Sequence, residues 1–458
     1  METMAESSSI APPAPPLSRG LLLAFCLPAL MMGFMHAPEG QVQGIYAKHG
    51  GLPLAAIAGA MLFTRFFDAV TFPLIGYLSD ATMRRTGSRK PWMIAGAGVT
   101  VFGLWFLYHP PAQVSIEYFT GWMLVSYVGW KLTEIPYGAW AISLTSDYVQ
   151  RARVQMWRAM LLLLGGTLFY TVPYAAKALG LQPATDMNFA TLGLNALVIA
   201  VAVPLVSLIA LSRVPDGEGA LPQKAPARKA HVRELLRAMA TSRPLLRLLG
   251  AAVPVMFLNG MSAGATYLYV DAYMGLGDKY AMIQLIALPC SLLGLPFWGW
   301  LCLRYERHRV WACSMVIAAV SYAAVGFAPV GAAGLPVILL LYPATVFCVG
   351  AITVALPAMM GDVLDHDRLH SGEDRAGMYS AMLAFIGKSL GGVAGAAGIA
   401  VLAWFGFDAT AKVQSSAGAF GIRLVMFWLP AAGFALGALL AWTFPITRAR
   451  QAEIHAAL

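Results

Sequence analysis

The chain has 458 residues, of which 59% are hydrophobic and only 12% charged, and its mean hydropathy is +0.67. Soluble domains carry about 25% charged residues, so this composition cannot clothe a water-facing surface and an all-α integral membrane protein is expected. The formal net charge of +9 is explained by loop distribution rather than by a nucleic-acid partner, as the order of the chain makes plain.

Residues 1–19 hold a Ser/Pro-rich stretch, Ser7 to Pro16, expected to be a disordered tail on the cytoplasmic side. Twelve apolar runs follow, near 20–38, 53–80, 91–109, 115–143, 156–178, 190–212, 245–273, 279–303, 310–329, 335–362, 376–404 and 418–445. Each reaches or approaches the ~20 residues that a spanning helix needs. The first run has no small-residue cleavage site after it and reads as a retained span. Basic residues collect in alternate loops, at Arg84, Arg85, Arg89 and Lys90, then at Arg151 and Arg153, then along 213–244 and at Arg304, Arg307 and Arg309. That asymmetry follows the positive-inside rule and predicts both termini in the cytoplasm of a cell inner membrane. Cys26, Cys290, Cys302, Cys313 and Cys348 are scattered without ligand spacing, and neither a metal nor any other cofactor is expected.

The second run contains Arg65 and Asp68 one turn apart. Ionisable groups at membrane depth are costly unless they pair or face a cavity, and so mark function. The pair is expected to bridge within its own helix. The same run ends in a G-x-x-x-D-x-x-x-R-R-x-G-x-R-K pattern from Gly76 to Lys90. Gly76 is expected to admit a neighbouring helix, and Asp80 to accept from Arg84 or from a neighbour's terminal amides. The pattern resembles the loop signature between the second and third helices of the major facilitator superfamily.

The fourth run holds Trp130-Lys-Leu-Thr-Glu-Ile-Pro-Tyr137, with Lys131 and Glu134 again at i and i+3 on one face. Asp147, Arg151 and Arg153 form the next loop, Arg158 opens the fifth helix, and Gly165-Gly166 is a packing point. The hydrophilic stretch 213–244 lies at the chain midpoint, and 231–239 within it reads as an amphipathic surface helix. It divides bundles of six helices at 20–212 and 245–445, with a cytoplasmic tail at 446–458. Internal similarity supports the division. Pro136…Asp147…Arg153-Val-Gln-Met-Trp-Arg-Ala159 parallels Pro357…Asp365…Arg375-Ala-Gly-Met-Tyr-Ser-Ala381. Repeated halves with a midplane site between them are a transporter architecture. Lys388, in a glycine-rich eleventh run, is expected to point inward toward Asp68 or Glu134.

Together these motifs resemble the glycoside–pentoside–hexuronide:cation symporter family, the melibiose-permease-like branch of the major facilitator superfamily. The likeness runs from the first helix to the twelfth. It is strongest at Arg65-Phe-Phe-Asp-Ala…Pro73…Gly76, at Glu134-Ile-Pro-Tyr137 with Arg158, and at Asp362-Val-Leu-Asp365…Lys388. The resemblance implies the major facilitator fold, with Asp68 in the cation site and Glu134 serving cation and sugar together. It also implies that Arg158 contributes to the sugar site and that Lys388 interacts with the acids. Lys131, Trp130 and Tyr137 are added as solute-binding candidates, and Arg65, Asp80, Arg84 and Asp365 as charge-pair or gating groups.

Two departures shape the expectation. The family's second helix-two aspartate is Phe72 here, and its helix-one sugar acid has no counterpart among Leu27, Pro28 and Ala29. A proton needs one group of suitable pKa where sodium needs several oxygens, so a proton is the expected coupling ion and sodium the alternative. The reading is a monomeric transporter, not an enzyme, that moves a small solute such as a sugar or glycoside. An amphipathic solute (lysolipid, muropeptide or siderophore-like) and a non-transporting sensor are the other readings.

Overall fold

The computed structural model describes residues 17–145, 147–216, 242–372 and 376–457. Among these, every regular element is helical. All twelve apolar runs are helical over most of their length, and among the described residues nine helices are long and apolar enough to span a membrane. A tenth is counted if the pair bent by 41° at Tyr170–Thr171 is one span. Helix Ile116–Ser143 falls outside that count because Glu117, Lys131 and Glu134 interrupt its apolar surface. The amphipathic segment 231–239 and most of the N-terminal tail lie outside the described residues.

In the first half, α1 (Arg19–His36) runs into a single 3-10 turn, Ala37–Gly40, and a short α2 (Val42–Gly50). Residues 41–49, between the first two apolar runs, are folded into the molecule, with Gln41, Gln43 and Tyr46 all buried. Tyr46 anchors it by donating to the Leu107 carbonyl at 2.6 Å. Then come α3 (Leu54–Thr86), α4 (Lys90–Tyr108) and α5 (Ile116–Ser143). α3 stops at Gly87, whose φ of +73° only a residue without Cβ adopts cheaply, and α4 restarts with Pro91 in its first turn.

Helix α6 (Tyr148–Phe169) begins eight residues before the predicted span at 156. Asp147 caps it, accepting from the Gln150 amide at 2.7 Å. α7 (Val172–Ala178) and α8 (Phe189–Arg213) complete the half. The second half contains α9 (Arg243–Tyr267), α10 (Gly277–Arg304), α11 (Arg307–Val325), α12 (Leu335–Val349) and α13 (Ala351–Ser371). It continues with α14 (Ala376–Trp404), α15 (Ser416–Arg423), α16 (Leu429–Trp442) and α17 (Arg448–Ala457). The predicted tenth run is thus two helices, broken at Gly350.

Helix α1 packs on α6 where two glycines meet backbone: a Cβ on Gly33 would strike the Leu162 carbonyl, and one on Gly165 the Leu30 carbonyl. The expected packing point at Gly165 is therefore real. Gly76 is different, since the nearest atom to its absent Cβ is Ile135 Cγ2 at 3.9 Å, an ordinary contact. α3 packs on α5 of its own half and on α14 of the other, and α6 packs on α10. These two seams join the halves around a central cavity.

Candidate functional site

Helix α5 organises the polar interior, because Tyr127, Trp130, Lys131, Glu134 and Tyr137 recur at steps of three or four on its inward side. Lys131 stands between two carboxylates. Its Nζ is 3.1 Å from Glu134 Oε2 and 3.9 Å from Asp68 Oδ2 of α3. The Phe72 ring, where a second aspartate is expected from family resemblance, presents its face to the same ammonium at 5.6 Å.

The expected bridge within α3 is absent among the described residues. Arg65 reaches Glu39 Oε1 at 2.7 Å and the Tyr127 hydroxyl at 3.2 Å, and Tyr127 donates to the same carboxylate oxygen at 2.9 Å. His36 Nδ1 lies 3.5 Å from the other oxygen of Glu39. Among the described residues Asp68 is left with Lys131, and its Oδ1 is buried without a hydrogen-bond partner. Glu39 closes the first apolar run, and sequence reading treats it as a helix-end residue. A partner 26 positions away on another helix cannot be read from local spacing.

A cavity of about 680 Å³ opens beside this cluster, lined by His36, Glu134, Tyr137, Gln155, Arg158 and, from the second half, Gln284. Arg158 lies over the Tyr137 ring at 4.5 Å and donates to Gln155 Oε1 at 2.9 Å. The Tyr137 hydroxyl is spent on the Phe25 carbonyl at 2.9 Å, so this residue offers the cavity its ring. Trp130 is placed elsewhere: it packs against His36 and lines a narrower space behind Glu39. Among the candidates, then, Glu134, Arg158 and Tyr137 share the cavity. Lys131 and Asp68 sit behind Glu134. Lys388 belongs to α14, with its side chain outside the described residues.

The remaining charge candidates are remote from the cavity. Asp80 accepts from Arg89 at 2.9 Å rather than from Arg84, which is exposed. The loop turn at Gly87 brings Arg89 back over the end of α3. Asp365 accepts from Gln451 at 2.7 Å and lies 3.1 Å from His455 Nε2, so it tethers α17.

At the end opposite the basic loops the halves are tied together. Lys48 Nζ meets Asp271 Oδ2 at 2.5 Å, and His49 Nε2 lies 3.1 Å from the Tyr267 hydroxyl, which donates to the Met187 carbonyl at 2.6 Å. Thr185 adds a bond to the Asp278 carbonyl at 2.7 Å. Burial, reinforced by the carboxylates of Asp271 and Asp278, pushes the Asp186 carboxyl above its ordinary value, while Lys48 and His49 pull it down. Burial likewise lowers His49, against the opposing pull of Asp271.

Ionisable groups gathered around a polar cavity between two packed helical halves define a membrane transporter. The family model for MFS/sugar transport proteins matches residues 26–448, and the chain belongs to that family. The inner membrane symporter YicJ of Escherichia coli is 25% identical over 86% of this chain and 85% of its own. The uncharacterised symporter sll1374 of Synechocystis is 28% identical over 43% of this chain and 37% of its own. Among solved structures, a bacterial homologue of the human lysosomal transporter Spinster, inward-facing and unoccupied, superposes with a TM-score of 0.64. It is 17% identical, covering 93% of this chain and 97% of that one.

Proposed function

We propose that this transporter carries a small organic solute, a sugar or glycoside, together with a proton by alternating access. The observation that carries the reading is Lys131 held between Glu134 and Asp68 at the wall of the cavity. Protonating Glu134 removes one of the two negative charges that hold Lys131, and the ammonium then turns fully to Asp68. A coupling of about 1–3 kcal/mol between that event and solute binding suffices to link the two fluxes. A cavity of about 680 Å³ lies in the range that small-molecule sites occupy, roughly 300–1,000 Å³. Arg158, Gln155 and Glu134 offer donors and acceptors to hydroxyl groups, and the Tyr137 ring offers an apolar face.

In this reading the twelve helical runs are twelve spans in two six-helix bundles, 20–212 and 245–445. The protein works as a monomer in a cell inner membrane with both termini cytoplasmic. The absence of a second carboxylate at Phe72 favours a proton over sodium. Intravesicular pH in proteoliposomes, followed while a panel of glycosides is added outside, tests this. Proton entry with one solute class, lost in Glu134→Gln, is the expected result. Uptake driven by a sodium gradient with no proton movement would overturn the choice of ion.

A further inference from the structure

Arg65 and Asp68 lie one turn apart on α3, close enough in sequence to pair, yet among the described residues no hydrogen bond or ion pair joins them and the guanidinium is bonded to Glu39. Three features account for this. Glu39 Oε1 takes an Nη2 hydrogen bond at 2.7 Å. The Tyr127 hydroxyl lies 3.2 Å from the same nitrogen and its ring 5.1 Å from the guanidinium carbon. Gly392 of α14 leaves open the space that the Arg65 methylenes fill, since a Cβ there would collide with Arg65 Cδ. Meanwhile, among the described residues, Asp68 Oδ1 is buried with no hydrogen-bond partner, and Oδ2 has the longer contact to Lys131 at 3.9 Å.

We infer that Glu39 is a positioning residue for the coupling site: by capturing Arg65 it keeps the guanidinium off Asp68 and leaves that carboxylate open to the transported cation. The inference rests on the proposal that Asp68 belongs to the cation site. An arginine paired directly with Asp68 would fill the site with a fixed charge, and an arginine lowers a neighbouring aspartate's pKa by about 1–3 units. Glu39 is faced by His36 from α1, Arg65 from α3 and Tyr127 from α5, and Tyr108 of α4 lines the same narrow space. Arg65 is the only one of these four that carries a permanent charge, and it is the one Glu39 holds.

The test reads the protonation of Asp68 itself. Dicyclohexylcarbodiimide modifies protonated carboxyls within membranes, and peptide mass spectrometry assigns each adduct to its residue. The full chain in liposomes is treated at a series of pH values. Asp68 is expected to be modified progressively as pH falls. In Glu39→Gln the released Arg65 turns to Asp68, and modification drops at least about fivefold at the pH where the unsubstituted protein is half-modified. Adding Arg65→Gln to Glu39→Gln restores it, a rescue that a purely structural role would not produce. Tyr127→Phe loosens the same hold without removing a charge, gives a smaller loss in the same direction, and serves if Glu39→Gln does not fold. Unchanged modification in Glu39→Gln, or no rescue in the double variant, overturns the inference. If Asp68 stays unmodified at every pH in the unsubstituted protein while Glu134 is modified, the assignment of Asp68 to the cation site fails first and takes this inference with it.

Discussion

At the scale of single residues, the polar interior is a question of which partner each charge finds. Lys131 is largely buried and serves two carboxylates, so Lys131→Met takes the ammonium away from both. Removing one member of a buried ion pair costs about 3–5 kcal/mol. The expected outcome is a marked fall in the thermal unfolding midpoint in detergent, together with loss of gradient-driven accumulation. Asp186 makes a contrasting case outside the spans. Its carboxyl is raised by burial and by neighbouring acids, so the folded state binds its proton more tightly than the unfolded chain does. Stability therefore falls as pH rises from the ordinary aspartate value through the raised one, and the penalty persists at neutral pH. Asp186→Asn is expected to unfold at a higher temperature than the parent at pH 7 and to lose the parent's gain on acidification, as melting curves across pH would show. Reading residues from sequence succeeds for Lys131 and Glu134 because both lie on one helix at i and i+3. It fails for Arg65, whose partner is set by how α1 and α3 meet.

At the scale of elements, apolar length and the cap and break signals place the helices, and long-range packing corrects them. The run near 156–178 is extended back to Tyr148 by the Asp147 cap and bent at Tyr170–Thr171. The segment after Glu39 becomes α2 because buried Tyr46, Gln41 and Gln43 fix it against other helices. The α1–α6 crossing depends on Gly33 and Gly165, each facing a carbonyl of the opposite helix. Without a hydrophobic drive between helices in lipid, such close approach is the main source of packing energy. Gly165→Ala is expected to cost at least about 1–3 kcal/mol through overpacking, read as a lower unfolding temperature. Gly166→Ala is the control, since its nearest neighbour, the Gly33 carbonyl, stands 3.7 Å away and the cost there is small.

At the scale of the whole molecule, the two halves close on each other opposite the basic loops through Lys48–Asp271, His49–Tyr267 and Thr185–Asp278. Asp271→Asn removes the one ion pair among these three contacts. The closed arrangement is expected to give way, and Gln284→Cys in the cavity should then react several-fold faster with a membrane-impermeant maleimide added from that side. Unchanged labelling would mean that the tyrosine and threonine contacts hold the closure without the ion pair.

The amino-acid sequence by itself determined that this is a helical membrane protein, where its apolar runs lie, and which charges are buried within them. Those properties are local or compositional: a charge inside twenty apolar residues is costly wherever the helix ends up. Family resemblance added the transporter class through motifs retained around Asp68, Glu134 and the Gly76–Lys90 loop. Only the tertiary structure decided the pairings of Arg65 with Glu39, Lys131 with Asp68, Asp80 with Arg89 and Asp365 with α17. It likewise decided that Trp130 turns from the cavity while Gln155 and Gln284 line it. Each of these depends on how separate helices, or a helix and the turn that follows it, sit against each other, and no periodicity along one helix encodes the rotation of its neighbour.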